Sequence, residues 1–191
     1  MKAMLIFLFT GLVTISYSQN ASENKFTRKG FIFGAAVGMS ALNLNFTAYP
    51  NQSELSASLP NFKIGAMVSK RTALLLYLPG SIYTYKNDDR TRDRGFEAIV
   101  PSVQYWFTDH WWILGGVGLG MDAPAFYDIK NEDERTFYFG LASVTSVGYE
   151  VWRKGKFALD VQSRVHYGTA NRPEGMRSGL AFDFLIGFNW Y

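Results

Sequence analysis

The segment KFALDVQSRVHYG, residues 156–168, alternates apolar and polar positions with a period of two. Phe157, Leu159, Val161, Val165 and Tyr167 share one face, while Asp160, Gln162, Arg164 and His166 share the other, with Ser163 the one small polar residue on the apolar side. That period predicts a β-strand with two unlike faces. The segment 180–191, LAFDFLIGFNWY, repeats it: Phe182, Phe184, Ile186, Phe188 and Trp190 oppose Asp183, Gly187 and Asn189, and Leu185 is the exception. No helical period survives between residue 30 and the end. Eight extended stretches are expected, at 30–46, 58–69, 72–85, 95–107, 111–123, 135–151, 156–168 and 178–191.

The connections between these stretches alternate in length. Tight turns follow strands two, four and six, around Lys70-Arg71, Thr108-Asp109-His110 and Arg153-Lys154-Gly155. Longer polar segments follow strands one, three, five and seven: TAYPNQSELSA, KNDDRTRDR, PAFYDIKNEDE and TANRPEGMR. An even number of antiparallel strands with short turns at one end and long loops at the other is the pattern of a membrane-spanning barrel. Each strand also has the roughly 9 to 11 residues needed to cross hydrocarbon at a tilt. The expected fold is all-β, an eight-stranded antiparallel up-and-down transmembrane β-barrel over residues 30–191.

Alternation alone does not say which face points outward, since a soluble lipocalin-like barrel alternates too. The polar face decides: its ions are sparse and mixed with small residues. In strand five, Ile113, Val117, Leu119 and Met121 oppose Gly116, Gly118, Gly120 and Asp122. Small residues suit the crowded interior of a narrow barrel, whereas an arginine on the lipid face near the midplane costs roughly 2 to 4 kcal/mol. Arg164 is therefore expected inside, opposite Asp183, with Asp160, Lys63, Gln104 and Gln162 extending an interior polar network. Charge neutralisation within the wall is the expected role of these ions, because buried charges need partners.

All five tryptophans, Trp106, Trp111, Trp112, Trp152 and Trp190, fall at the short-turn end. An apolar ring with a polar N–H favours the membrane-water boundary, so these residues are expected to form a periplasmic girdle. Phe46, Tyr83, Tyr85, Phe126, Phe137 and Tyr167 would form the opposite one.

The start of the chain agrees with export. Residues 1–18, MKAMLIFLFTGLVTISYS, carry a lysine, an apolar run and small residues before Gln19, the pattern of a signal peptide; residues 19–29 read as a polar periplasmic lead. Removing Lys2 takes the formal charge from +3 to +2, 18 basic against 16 acidic residues, too near balance to imply nucleic acid. There is no cysteine, hence no disulfide framework or thiolate metal site. His110 and His166 are the only histidines, and neither has a second ligand spaced for a metal. The charged loops match no calcium motif. No cofactor or metal is expected.

Residues 30–191 resemble the small outer-membrane β-barrel proteins of Gram-negative bacteria, of the OmpX and OmpA-transmembrane-domain type. The likeness rests on the strand and loop pattern, and on Gly187, Trp190 and Tyr191, which approximate the assembly signal of such barrels although the apolar parity ends on Trp190. It implies a monomer in the outer membrane, insertion by the barrel-assembly machinery, and loops facing outward among outer-membrane lipid and lipopolysaccharide. Members serve as adhesins, membrane-stability proteins, narrow channels or lipid-modifying enzymes. The segment RVHYGTANRPEG, 164–175, is similar to the HYSNAG-type segment of the lipid A deacylase PagL, but Gly168 stands where the nucleophilic serine belongs and Thr169 points to the other face. No catalysis is expected.

Pro79-Gly80 and Pro101 fall at similar height in neighbouring strands, and proline lacks an N–H, so the ladder there is expected to be broken or bulged. These residues mark a candidate wall seam, of the kind through which PagP-like barrels are thought to admit lipid. The expected function is a structural or surface-interaction role. The alternatives are a small channel or hydrophobic-molecule transporter, and a lipid A-modifying enzyme of PagL or PagP type.

Overall fold

The computed structural model describes residues 26–47, 50–59, 61–87, 90–125, 127 and 136–191. The proposed signal peptide, most of the lead, and Phe126 lie outside the described residues. Ten strand segments are present: β1 Phe31–Phe46, β2 Gln52–Ser58, β3 Phe62–Met67, β4 Thr72–Leu78, β5 Gly80–Asn87, β6 Arg90–Trp106, β7 Trp111–Pro124, β8 Tyr138–Lys154, β9 Phe157–Arg172 and β10 Gly175–Trp190. They make eight antiparallel staves, because β2 and β3 share one stave beside β1, and β4 and β5 share the next beside β6. β1 pairs with β10 from Phe33↔Trp190 to Phe46↔Arg177, which closes the ring.

Several boundaries differ from the sequence reading. Residues 52–57, 86–87, 90–94, 169–172 and 175–177, read as loop, are strand. Their polar composition marks strand ends that extend past the apolar band: Asn43, Asn45 and Ser53 are exposed there. The 17 residues of β6 and of β8 rise roughly 40 Å along the axis at a tilt near 40°, against an apolar band of about 25 Å.

The apolar face points out. Leu141, Val117, Phe184 and Ile186 are 60 to 76% exposed, while Arg164, Asp183, Asp160 and Gln104 on the opposite parity are at most 5% exposed. A surface of this composition is solvated by lipid, and closure pairs the main-chain groups of most staves within the wall.

Two of the five tryptophans depart from the expected girdle. Trp106 and Trp112 are buried in the lumen, 0 and 1% exposed, and only Trp111, Trp152 and Trp190 face outward. Trp111 and Trp112 are adjacent, and adjacent strand residues take opposite faces. Trp152 would have shared the inward parity of Glu150, but a β-bulge between Glu150↔Asp160 and Trp152↔Leu159 turns it out. Gly148 makes room for the inward ring: a Cβ there would lie 2.2 Å from Trp112 Cζ2. Of the other girdle, Phe137 and Tyr167 are exposed, whereas Tyr83 and Tyr85 are buried inside.

Candidate functional site

The lumen is crossed by polar networks at three heights. Nearest the short turns, Glu150 is a hub. Its Oε1 accepts from Trp106 Nε1 at 3.0 Å and from the Tyr191 hydroxyl at 2.7 Å. Arg28 reaches in to pair with the same carboxylate, donating from Nε at 3.3 Å and from a terminal nitrogen, with its guanidinium 4.8 Å from the Trp106 ring centre. Just above, Lys63 Nζ donates to Gln104 Oε1 at 3.1 Å and sits 4.7 Å from the Trp112 ring centre. Asp160 accepts from Gln162 and Asn189, each at 2.8 Å. A cavity with room for about one water lies among Asn61, Lys63, Tyr77, Trp112 and Gln162.

At mid-height Arg164 spends its whole guanidinium on the wall. Nε donates to Asp183 Oδ2 at 2.7 Å; one terminal nitrogen donates to Asn61 Oδ1 and to the Tyr77 hydroxyl at 2.8 Å; the other donates to Ser58 Oγ at 2.8 Å and to the Gly80 carbonyl at 3.4 Å. Asp183 lies directly across the β9–β10 ladder from Arg164. The other acceptors belong to β2, β4 and β5 and to the link between β2 and β3, so one side chain ties β9 to the far wall.

Those acceptors surround a seam. Below it β3 and β4 are paired from Phe62↔Leu78 to Met67↔Ala73, but above it, among the described residues, β2 pairs with β1 and β5 with β6 and not with each other. Side chains stand in for the missing ladder. Ser58 Oγ donates to Gly80 O at 3.0 Å, Gly80 N donates to Asn61 Oδ1 at 3.1 Å, Thr84 N donates to Glu54 Oε1 at 3.0 Å, and Gln52 Nε2 donates to Thr84 O at 2.8 Å.

The seam expected between Pro79-Gly80 and Pro101 is not there: β4 and β5 pair with β6 on both sides of Pro79, and neither proline bulges its own strand. Pro79 separates β4 from β5, yet the pairing to β6 keeps one register across it, from Tyr77↔Val100 to Gly80↔Glu97. Pro101 pairs with Leu76 and interrupts β6–β7 between Ile99↔Leu119 and Ser102↔Gly116, again without a shift. The inserted residue is in the neighbouring stave instead, where three residues separate Ser58 from Phe62 opposite two residues of β1.

Nearest the long loops, Asp122 gathers three arginines. Arg94 Nε donates to Oδ1 at 2.5 Å, Arg172 to Oδ2 at 3.2 Å, and Arg177 approaches Oδ2 at 3.4 Å, while the Tyr83 hydroxyl donates to Oδ2 at 2.7 Å. Arg172 also lies 4.2 Å from the Tyr85 ring centre and 5.0 Å from that of Tyr138.

The two histidines separate. His110 Nδ1 meets the Glu150 carbonyl at 2.7 Å at the turn, stacked on Tyr149. His166 is fully buried in the lumen, 4.6 Å from the Phe96 ring centre, with no hydrogen-bond partner on either nitrogen. Among the described residues no cluster of His, Asp or Glu could hold a metal.

Arg164, Asp183, Asp160, Lys63 and Gln162 are legible in the sequence as one inward set, and Asp122 as an inward residue of its strand, but the hubs at Glu150 and Asp122 and their arginines are not. Inward parity marks both carboxylates, and that was the available signal. The partners come from strands across the lumen, which no single hairpin reveals.

No protein-family model matches the chain, and no curated protein matches it in sequence. Solved structures do. The attachment invasion locus protein Ail of Yersinia pestis is similar with a TM-score of 0.57 at 9% identity, over 85% of this chain and 99% of that one. Neisserial surface protein A is similar with a TM-score of 0.56 at 16% identity, over 84% and 96%. Ail in complex with the heparin analogue sucrose octasulfate matches at 0.52 with 9% identity, over 85% and 99%. The fold is that of the small eight-stranded outer-membrane barrels, and the apolar exterior is that of a barrel built to span a membrane.

Proposed function

We propose that this protein is a non-conducting, non-catalytic barrel that acts through its projecting outer rim, as a monomer inserted by the barrel-assembly machinery and bathed in outer-membrane lipid and lipopolysaccharide. The observation that carries the reading is the triple crossing of the lumen at Glu150, Arg164 and Asp122, which ties opposite walls where a channel would need water. His166 supports the absence of hydrolysis, since it is walled into the lumen away from lipid. The likeness to an attachment protein, itself solved with a sulfated saccharide, supports a role in surface contact. Refolded protein in planar bilayers is expected to give no discrete conductance steps and to release no fatty acid from lipid A. Either activity, lost in a His166→Ala or Arg164→Met variant, would replace this reading by the corresponding rival.

The seam favours a second reading, sideways entry of an amphiphile between β2 and β5, where Leu55 is 75% exposed on the outward face. Pro79 O bonds to Ala98 N of β6, so by alternation the Ile82 N–H points to the gap and those of Ser81 and Tyr83 to β6. Amide exchange in micelles tests it: Ile82 exchanging far faster than its neighbours supports entry, and equal protection removes it.

A further inference from the structure

Among the described residues, the outer third of the lumen holds more positive charge than its side chains neutralise, and the geometry points to an oxyanion site of the phosphate class, with Arg177 and Arg172 as its donors. Around Asp122 stand three guanidinium groups, all nearly buried: the side chains of Arg94, Arg172 and Arg177 are 9, 6 and 0% exposed. Asp122 is already fully engaged. Its Oδ1 takes Arg94, and its Oδ2 takes both the Tyr83 hydroxyl and Arg172. Arg94 is completed by the Asp122 and Thr136 carbonyls at 3.1 and 2.9 Å. Arg172 finds a second carboxylate in Glu174, at 3.4 Å and 32% exposed.

Arg177 has only a 3.4 Å approach to Asp122 Oδ2, an oxygen that the Tyr83 hydroxyl and Arg172 already occupy. Nε and both terminal nitrogens are buried without a hydrogen bond, and the guanidinium rests on aromatic faces, 4.7 Å from the centre of Phe96 and 5.5 Å from that of Tyr83. Ring faces attract a cation but cannot accept its in-plane N–H groups. A fully desolvated guanidinium without an acceptor is among the costliest arrangements in a protein, and a charge in a closed barrel needs its partner inside. Among the described residues, Asp93 and Glu97 are on the outward parity of β6, so neither supplies that partner.

What is missing is one more negative group with several acceptor atoms. A guanidinium presents its donors as a planar fork, which matches two oxygens of a phosphate or phosphate ester better than a halide. The cluster lies at the long-loop end, beside the Gly175 hairpin and the part-exposed Glu174; the Arg177 nitrogens are closed to solvent, so the ligand enters only as the side chains at that end part. Either free phosphate or the phosphate of a lipopolysaccharide headgroup offers this chemistry.

The test uses the full mature protein folded in zwitterionic micelles. Its unfolding midpoint is followed against inorganic phosphate, with chloride at matched ionic strength as control. In a second arm, purified lipopolysaccharide replaces free phosphate. Phosphate is expected to raise the midpoint in a saturable way that chloride does not. Arg177→Met, which keeps the stem and removes the fork, should weaken the apparent affinity on the order of tenfold or more, the worth of one charge-assisted pair. Arg177→Lys should retain part of it. Heat-modifiable gel migration establishes that each variant is folded. A response to both ligands identifies a soluble phosphate as sufficient, and a response to lipopolysaccharide alone, lost in Arg177→Met, identifies the headgroup. Equal behaviour in phosphate and chloride with no response to lipopolysaccharide, or an unchanged response in folded Arg177→Met, overturns the site.

Discussion

Arg164→Met removes a guanidinium that five acceptors share and leaves a side chain of similar length in its place. The Arg164 and Asp183 side chains are both 0% exposed, so the variant strands a carboxylate in the lumen. Breaking a buried pair from one side costs about 3 to 5 kcal/mol. The orphaned Tyr77, Ser58 and Asn61 oxygens add to this unless water follows. Adding Asp183→Asn removes the stranded charge and should return more than half of the loss, since the residues share one network and their effects are not additive. The measurement is reversible urea unfolding into lipid vesicles, run on wild type, both single variants and the double. Because Arg164 also holds Ser58, Asn61 and Gly80 at the seam, amide exchange at these three residues should accelerate before the β8–β9 ladder is affected. A cost below about 1 kcal/mol for Arg164→Met, the range of an exposed ion pair, would refute the claim that this residue fastens the wall.

Three further outcomes are expected. Gly148→Val places a side chain where Trp112 already lies, 2.2 Å from the nearest ring carbon at the Cβ alone; the folded fraction on an unboiled gel should fall, in line with an overpacking cost of about 1 to 3 kcal/mol or more. Phe184→Arg, on a position 62% exposed to lipid, should destabilise the vesicle-bound barrel by roughly 2 to 4 kcal/mol, whereas Asn43→Arg at the exposed outer rim should cost about 0 to 1; equal effects would contradict the placement of the membrane band. Glu150→Ala deprives Arg28, Trp106 and Tyr191 of their shared acceptor, so trypsin should cut after Arg28 sooner in the variant than in the parent, and an unchanged cleavage rate would show that the hub does not hold that segment.

Period-two alternation carried most of the fold. Phe182, Phe184, Ile186 and Phe188 could be placed outside and Arg164 and Asp183 inside because lipid penalises charge far more sharply than it rewards any particular apolar residue, while their lying directly opposite depended on the pairing of the last hairpin. The tryptophans show the limit of arguing from height alone. Trp106 and Trp112 stand at the interface level but point inward, where Glu150, Gly148 and Lys63 give an indole N–H or ring something to meet. The bulge that turns Trp152 outward has no proline or glycine to announce it. β2 was missed because QSELSAS stands above the apolar band, where lipid no longer imposes a contrast between faces. The Asp122 cluster draws on β5, β6, β7, β9 and β10, and which of their inward residues meet depends on the stagger of the whole ring, a global quantity with no local mark in the chain.

Along most of the circumference, neighbouring staves are joined by peptide groups that every residue carries, so their attachment hardly varies with sequence. Between β2 and β5 the joint is made by Gln52, Glu54, Ser58 and Asn61 instead. Selection can therefore loosen or tighten this one join by a single codon change while the remaining staves keep their cohesion, which makes it the natural point of divergence among descendants of this barrel.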